Sequence, residues 1–379
     1  MLSPGWTFLQ PLVSAFLLVA IPPEASPFAV KGQDVKLEAV ATEVFDDNVT
    51  FAERDVASDF ISRFLVSAEL IREHKLGSLE FSGSLTQDLY ARHHEFSNLS
   101  ETLSTEWRAE PSRHDRLTVS NVFRHAEEPR SFDEAFHRGG GRYSFFKNVL
   151  TLGYARDVTK QLTLNGRYAH ELHDVSRDDL RDAQLHTAGL EGQYAVSSAT
   201  ILIGAYDFAH RNLDPGRGSS VHTLAGGARR YLTSQLYVDG RAGFNLTHGY
   251  DNEQTVKPLF SASLTGDLDG RSKARFTFDR WYATSPSVED LYGSWQMAAS
   301  YDRQLGRRLA GSLAAFFGDA DYLATELRDR LWGLRTDFTY EFSPQLKGRA
   351  GYTFTDATST DSTREYLKNT VAVSLTMEF

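Results

Sequence analysis

The sequence predicts an all-β fold, a transmembrane antiparallel up-and-down β-barrel of about eighteen strands, with sixteen as the alternative count. Three observations carry this. In the last nine residues Val371, Val373, Leu375, Met377 and Phe379 alternate strictly with small or polar residues, so one face is apolar and the other wet. Short polar turns and longer charged loops alternate along the chain, which is the asymmetry of a membrane barrel. Mean hydropathy is only −0.38, yet aromatic residues make up 12% of 379 residues. A barrel hides its apolar band by alternation and anchors it with aromatic girdles, so the two go together.

The N-terminus reads as an export signal. Leu12 to Ile21 is an apolar run followed by Pro22, Pro23 and small residues through Ser26, the pattern of a signal peptide. It is shorter than the roughly 20 apolar residues of a spanning helix. Its opening departs from the pattern, because the first basic residue is Lys31. The expected division is a signal over 1–26, cleaved near Ala25, and a barrel over 27–379. The first plausible strand begins near Val35, so neither a plug nor a soluble accessory domain is expected before it.

Short turns then recur at Arg72–Lys75, Glu110–Arg113, Asp157–Lys160, Val196–Ser198, Thr233–Gln235, Asp267–Gly270, Arg303–Gly306 and Ser343–Gln345. Their centres lie roughly 35 to 46 residues apart, enough for two strands and a loop. Longer charged connections sit midway, such as Asp174–Arg181, His210–Ser219 and Asp356–Glu365. Eight turns and nine loops join eighteen strands, and the even count places both chain ends on the turn side. A soluble sandwich has no reason to sort its connections by length on alternate ends.

Individual strands show which side is wet. Leu162, Leu164, Gly166 and Tyr168 alternate with Thr163, Asn165 and Arg167. Leu236, Val238, Ala242, Phe244 and Leu246 alternate with Asp239, Arg241 and Asn245. Trp332, Leu334, Phe338 and Tyr340 alternate with Arg335, Asp337 and Glu341, and Leu346, Ala350, Tyr352 and Phe354 with Lys347, Arg349 and Thr353. Charge opposite the lipid face requires a wet or ion-paired interior. Residues 199–208 are apolar on both faces, and 113–124 slips register near Asn121, where a bulge or a displaced boundary is expected.

The final strand resembles the C-terminal assembly signal of bacterial outer-membrane barrels, whose terminal aromatic, here Phe379, sits in the interfacial girdle. The partners this implies are the barrel assembly machinery, outer-membrane lipid and lipopolysaccharide of a Gram-negative cell. The net charge of −10 fits a cation-bridged lipopolysaccharide layer and argues against nucleic acid. Cysteine is absent, which excludes disulfides, thiolate metal sites and cysteine nucleophiles. No cofactor is expected.

Sixteen to eighteen strands leave an aqueous channel unless a plug fills it. The lumen is expected to carry Arg108, Arg167, Arg241, Lys273, Arg275, Arg335, Lys347 and Arg349 against Glu69, Glu80, Glu106, Glu171, Glu191, Asp239, Asp279, Asp337 and Glu341. The signs nearly cancel, so strong ion selectivity is not indicated. Mixed polar walls suit hydrated, weakly charged or neutral solutes, sugars among them. An occluded structural or adhesive barrel is the alternative, and an enzyme of lipase or protease type the more distant one. His170-Glu171-Leu172-His173 does not make a zinc motif, because its histidines fall on opposite faces of a strand. His93, His94 and His186 sit near loops without a matching Ser or Asp, so no catalytic residue and no enzyme activity is expected.

Glu43 to Phe51 (Glu-Val-Phe-Asp-Asp-Asn-Val-Thr-Phe), then Ser58-Asp59-Phe60-Ile61 and an alternating strand, resembles the opening of the family described as "putative β-barrel porin 2". The resemblance implies an outer-membrane barrel, often associated with exopolysaccharide export. Asp46, Asp47 and Asn48 are its recognisable part. Their oxygens suit a divalent cation, whereas the plainer reading is that Asx residues favour turns. The strand count also resembles that of alginate-export porins, but the lumen here lacks their arginine lining.

The longest loop, His125 to Gly141, carries Glu127, Glu128, Arg130, Asp133, Glu134, His137 and Arg138 and ends in three glycines. Its length, mixed charge and glycine hinge predict a segment that folds inward and constricts the pore; a solvated external loop is the alternative. Trp281 and Tyr282 near the rim have the ring faces to stack on sugars, although girdle placement is the commoner use.

Overall fold

The structure, a computed structural model, describes residues 34–129, 131–136, 141–177, 180–213, 217–249, 254–284 and 290–379. The expected signal over 1–26 lies outside the described residues. Period-2 patterning dictates strands, and the chain forms them in succession. They are β1 (Asp34–Asp46), β2 (Asp59–His74), β3 (Gly77–Tyr90), β4 (Asn98–Ser112), β5 (Asp115–Ala126), β6 (Phe145–Asp157), β7 (Leu162–Val175), β8 (Ala183–Ser197) and β9 (Thr200–Leu213). Then follow β10 (Arg217–Tyr231), β11 (Leu236–His248), β12 (Gln254–Asp269), β13 (Ser272–Thr284), β14 (Leu291–Gln304), β15 (Leu309–Tyr322), β16 (Arg328–Ser343), β17 (Leu346–Ser359) and β18 (Tyr366–Glu378). A short helix, α1 (Phe132–Phe136), interrupts the connection from β5 to β6.

Each strand pairs antiparallel with the next, and β1 pairs with β18 from Glu38 opposite Glu378 to Asp46 opposite Thr370. The amide of Phe379 adds a seam bond to the Leu37 carbonyl at 2.9 Å. Closure satisfies every strand's ladder without an edge, the condition for a sheet in a bilayer. Residues 75–76, 113–114, 158–161, 198–199, 232–235, 270–271, 305–308 and 344–345 make the short connections, and each overlaps a turn read from the sequence. At the other rim some loops are shorter than their polar residues suggest. His210, Arg211 and Ser219 lie within β9 and β10, because strand pairing continues past the apolar band whatever the side chains.

The exposed large apolar residues mark the outer face: Leu103 and Trp107 on β4, Leu164 and Tyr168 on β7, Val238 and Phe244 on β11, Trp332 and Phe338 on β16, Val371 and Val373 on β18. Of the bulge or displaced boundary expected over 113–124, no bulge occurs at Asn121, and the strand's boundary lies at Asp115. β5 keeps continuous register with β4 from Glu101 opposite His125 to Ala109 opposite Leu117, and shifts only beside the turn, between Ala109 and Ser112. Asn121 shares the outer face of Phe123, and its amide and that of Asn148 on β6 hydrogen-bond each other at 3.0 and 3.2 Å. A polar group facing lipid must find such a partner. On β9, Ile203 and Ala205 are buried on the inner face while Leu202 and Tyr206 are exposed.

An apolar core fills part of the lumen toward the loop end. Phe51, Phe136, Tyr292, Phe316, Ala320, Tyr322, Leu331, Ala357 and Tyr366 cluster there, drawn from two loops and the inner faces of β14 to β18.

Candidate functional site

The connection from β5 to β6 crosses the lumen. β5 runs to Ala126, so His125 belongs to the strand, its ring stacked on Phe146 with centroids 4.3 Å apart; the connection itself is 127–144. Arg130, His137 and Arg138, and the side chain of Asp133, lie outside the described residues. Gly141 has φ +74°, a left-handed conformation suited to glycine at the hinge.

Two anchors hold the segment. Near its origin, Glu128 sits among Tyr90, whose hydroxyl donates to it at 2.7 Å, Arg142 at 2.9 Å and Arg63 at 3.7 Å. Arg63 is also bidentate on Asp88, both contacts at 2.7 Å, and Arg142 reaches Glu127 at 2.9 Å. Burial alone would raise the Glu128 carboxyl, but the cations of Lys368, Arg63 and Arg142 outweigh it and hold the group well below the usual carboxylate range. The second anchor is apolar. Phe132 and Phe136 of α1 pack with Phe316 on β15 and Leu331 on β16. β5 and β15 stand about half the circumference apart in the eighteen-strand ring.

Glycines make room for these rings. A Cβ on Gly333 would lie 2.3 Å from the Phe132 ring, and one on Gly318 would lie 3.0 Å from the Phe136 ring. Inner-face glycine in a strand marks a close approach, a signal the sequence offered and the strand reading did not use. Arg124 of β5 pairs with Glu134, tying α1 back to its own strand.

Between the crossing segment and the wall of β16, β17, β18, β1 and β2 lies a cavity of about 570 Å³. Its charged lining comprises Glu38, Asp46, Arg63, Glu128, Arg335, Asp337, Arg349 and Lys368, with Thr and Ser hydroxyls between. Arg349 pairs with Asp337 at 2.9 Å and Lys368 with Asp46 at 2.7 Å.

The other lumen residues read from the sequence follow the alternation inward. Arg108 pairs with Glu106, Arg167 with Asp207 at 2.7 Å, and Arg241 bridges Asp239 at 3.1 Å and Glu191 at 2.7 Å. Arg275 and Asp279 share the inner face of β13, and Glu341 stands opposite Lys347 across β16 and β17. Much of the wall is therefore ion-paired in place.

Asp46, Asp47 and Asn48 form a clasp on the last strand. Asp47 accepts from the Asn369 amide and side chain, both at 2.6 Å. Asn48 donates to the carbonyls of Ala52 and Leu367 at 2.8 and 2.9 Å. Asp46 accepts from the Asn48 amide at 2.9 Å and pairs with Lys368. Their side chains are committed to the protein, which favours the turn reading over a cation site, and no metal-ligand cluster occurs among the described residues.

His186 lies within β8, close to its start at Ala183, its ring stacked on His170 with centroids 4.5 Å apart. Both, with His210, lie on the outer face opposite one another. Tyr282 covers Gly293 on the outer face, while its neighbour Trp281 falls on the inner one.

The model of the family described as "Putative beta-barrel porin 2" matches residues 258–379, from β12 to β18. That is the family whose likeness the sequence carries at its other end, Glu43 to Ile61, which lies outside the matched span. No curated protein matches the sequence. Among solved structures the chain is similar to a mutant of the ferric enterobactin receptor PfeA from Pseudomonas aeruginosa, at TM-score 0.50 and 9% identity over 91% of this chain and 80% of that one. It is similar to OccAB3 from Acinetobacter baumannii (TM-score 0.48, 12% identity, 92% of this chain and 99% of that one). OccK2 from Pseudomonas aeruginosa gives TM-score 0.49 and 11% identity over 92% and 97%. At such identities the likeness is one of fold alone.

Proposed function

We propose that this chain is a porin-like channel of a Gram-negative outer membrane, passing hydrophilic solutes or an exported polysaccharide through a lumen narrowed by residues 127–144. The observation that carries the reading is the seating of α1 on the wall opposite its parent strand. A segment anchored at its origin and again by α1 on the far wall of a barrel of this size reduces an aqueous lumen to a selective passage. Ion-paired walls of both signs suit polar solutes of low charge. Lipid and lipopolysaccharide cover the outer face, and the assembly machinery reads the strand ending at Phe379. The histidines at 170, 186 and 210 face outward, which supports a conduit over an enzyme working in the lumen.

A second reading, an occluded structural or adhesive barrel, is favoured by the apolar cluster at the loop end. Planar-bilayer recording separates the two. The full barrel is expected to show open-channel steps, and a variant lacking 127–138 severalfold larger ones, with assembly checked on a gel. Silence from both correctly inserted proteins supports the occluded barrel. Equal conductance would return the segment to a passive cap.

A further inference from the structure

Of the cations lining the cavity, three have carboxylate partners: Arg63 on Asp88 and Glu128, Arg349 on Asp337, and Lys368 on Asp46. Arg335 has none within ion-pair distance among the described residues. Its Nε donates to Thr353 Oγ1 at 3.3 Å, and the Phe132 ring of α1 lies over the guanidinium, 5.5 Å from its carbon to the ring centroid. Neither contact uses the two Nη groups. An arginine held by its Nε and by a ring on its face presents a fixed fork, the geometry that takes a carboxylate with two parallel hydrogen bonds.

We infer that Arg335 is the binding site for the carboxylate of a hydroxylated organic acid, a sugar acid by chemical class. The inference rests on reading the barrel as a conduit and deepens it. Arg335 stands midway along β16 beside the crossing segment, where a solute in the narrowed passage meets it. Thr42, Thr353, Thr370 and Ser374 line the same cavity and supply donors and acceptors for hydroxyls. One uncompensated guanidinium matches one negative charge. The nearby carboxylate of Asp337, on the same inner face of β16, disfavours a second, which selects a carboxylate over a phosphate dianion.

Isothermal titration of the full barrel in detergent tests this, with D-glucuronate against D-glucose as probes. Glucuronate should bind the unaltered protein, bind Arg335→Gln at least tenfold more weakly, and bind Arg335→Lys at an intermediate level, since lysine keeps the charge but loses the fork. Glucose should not distinguish the three. Glucuronate binding that is absent from the unaltered barrel, or equal in Arg335→Gln, overturns the site. Conductance of the same samples keeps the two readings apart. A silent barrel with Arg335-dependent binding retains the site and removes the conduit, whereas a conducting barrel without that dependence does the reverse.

Discussion

Asn48 is fully buried, and its side chain makes four hydrogen bonds: it donates to two carbonyls and accepts from Thr50 Oγ1 and the Ala52 amide, while Asp46 accepts from its backbone amide. One of those carbonyls belongs to Leu367 on β18, so a turn residue also fastens the first connection to the closing strand. Removing it strands buried backbone groups, at about 1–3 kcal/mol each. Asn48→Ala should therefore lower barrel stability by about 2 kcal/mol, read as a lower urea midpoint for unfolding from lipid vesicles. An unchanged midpoint would mean that water replaces the amide without cost. Phe51 nearby has φ +52°, an uncommon conformation for a bulky residue. The Lys368 ammonium 3.6 Å from its ring centroid and the edge of Tyr366 hold it there.

At the scale of the element, the segment 127–144 is held by one ionic and one apolar anchor, and the two respond to different perturbations. The Glu128 carboxyl is held below its ordinary range by surrounding cations. Its contribution is then fully present above the ordinary carboxylate pKa and is lost only as pH falls through the lower folded value. Cysteine is absent from the chain, so Ala135→Cys reports α1 release cleanly by thiol labelling, normalised to the denatured protein at each pH. Labelling should stay slow and level from pH 7 to pH 5. Adding Glu128→Gln should speed it severalfold at pH 7, because Arg63, Arg142 and Lys368 lose their shared anion. A rate that climbs between pH 7 and pH 5 without that change would place the control elsewhere.

For the whole molecule, the closed ladder and the outer apolar face predict behaviour no soluble sheet shows. The 42.5 kDa chain should migrate faster on a gel before boiling than after, give a strand-dominated circular dichroism spectrum and need detergent for recovery. Recovery as a detergent-free soluble monomer would contradict the membrane fold. The strand count and turn positions were legible because period-2 alternation and turn chemistry are local, and each hairpin repeats the same test. The break in alternation at Asn121, read as a bulge or a displaced boundary, has a non-local reason: its partner, Asn148, is on the next strand.

By itself the sequence determined the class of fold, a count of about eighteen strands and, for the cleanly alternating strands, which face meets lipid, since all three follow from alternation and turn spacing along the chain. It also marked the loop from His125 to Gly141 as unusual by length, charge and glycine. Only the tertiary structure decided where that segment goes and what holds it. Glu128 meets Arg63 and Lys368, and Phe132 meets Gly333, across distances in sequence that no local pattern spans. The same holds for the lumen charges. Alternation says that Arg335 and Arg349 face inward, but cross-strand register gives Asp337 to Arg349 and leaves Arg335 beneath Phe132. Partner choice is set by closure of the ring, and closure is a property of eighteen strands together.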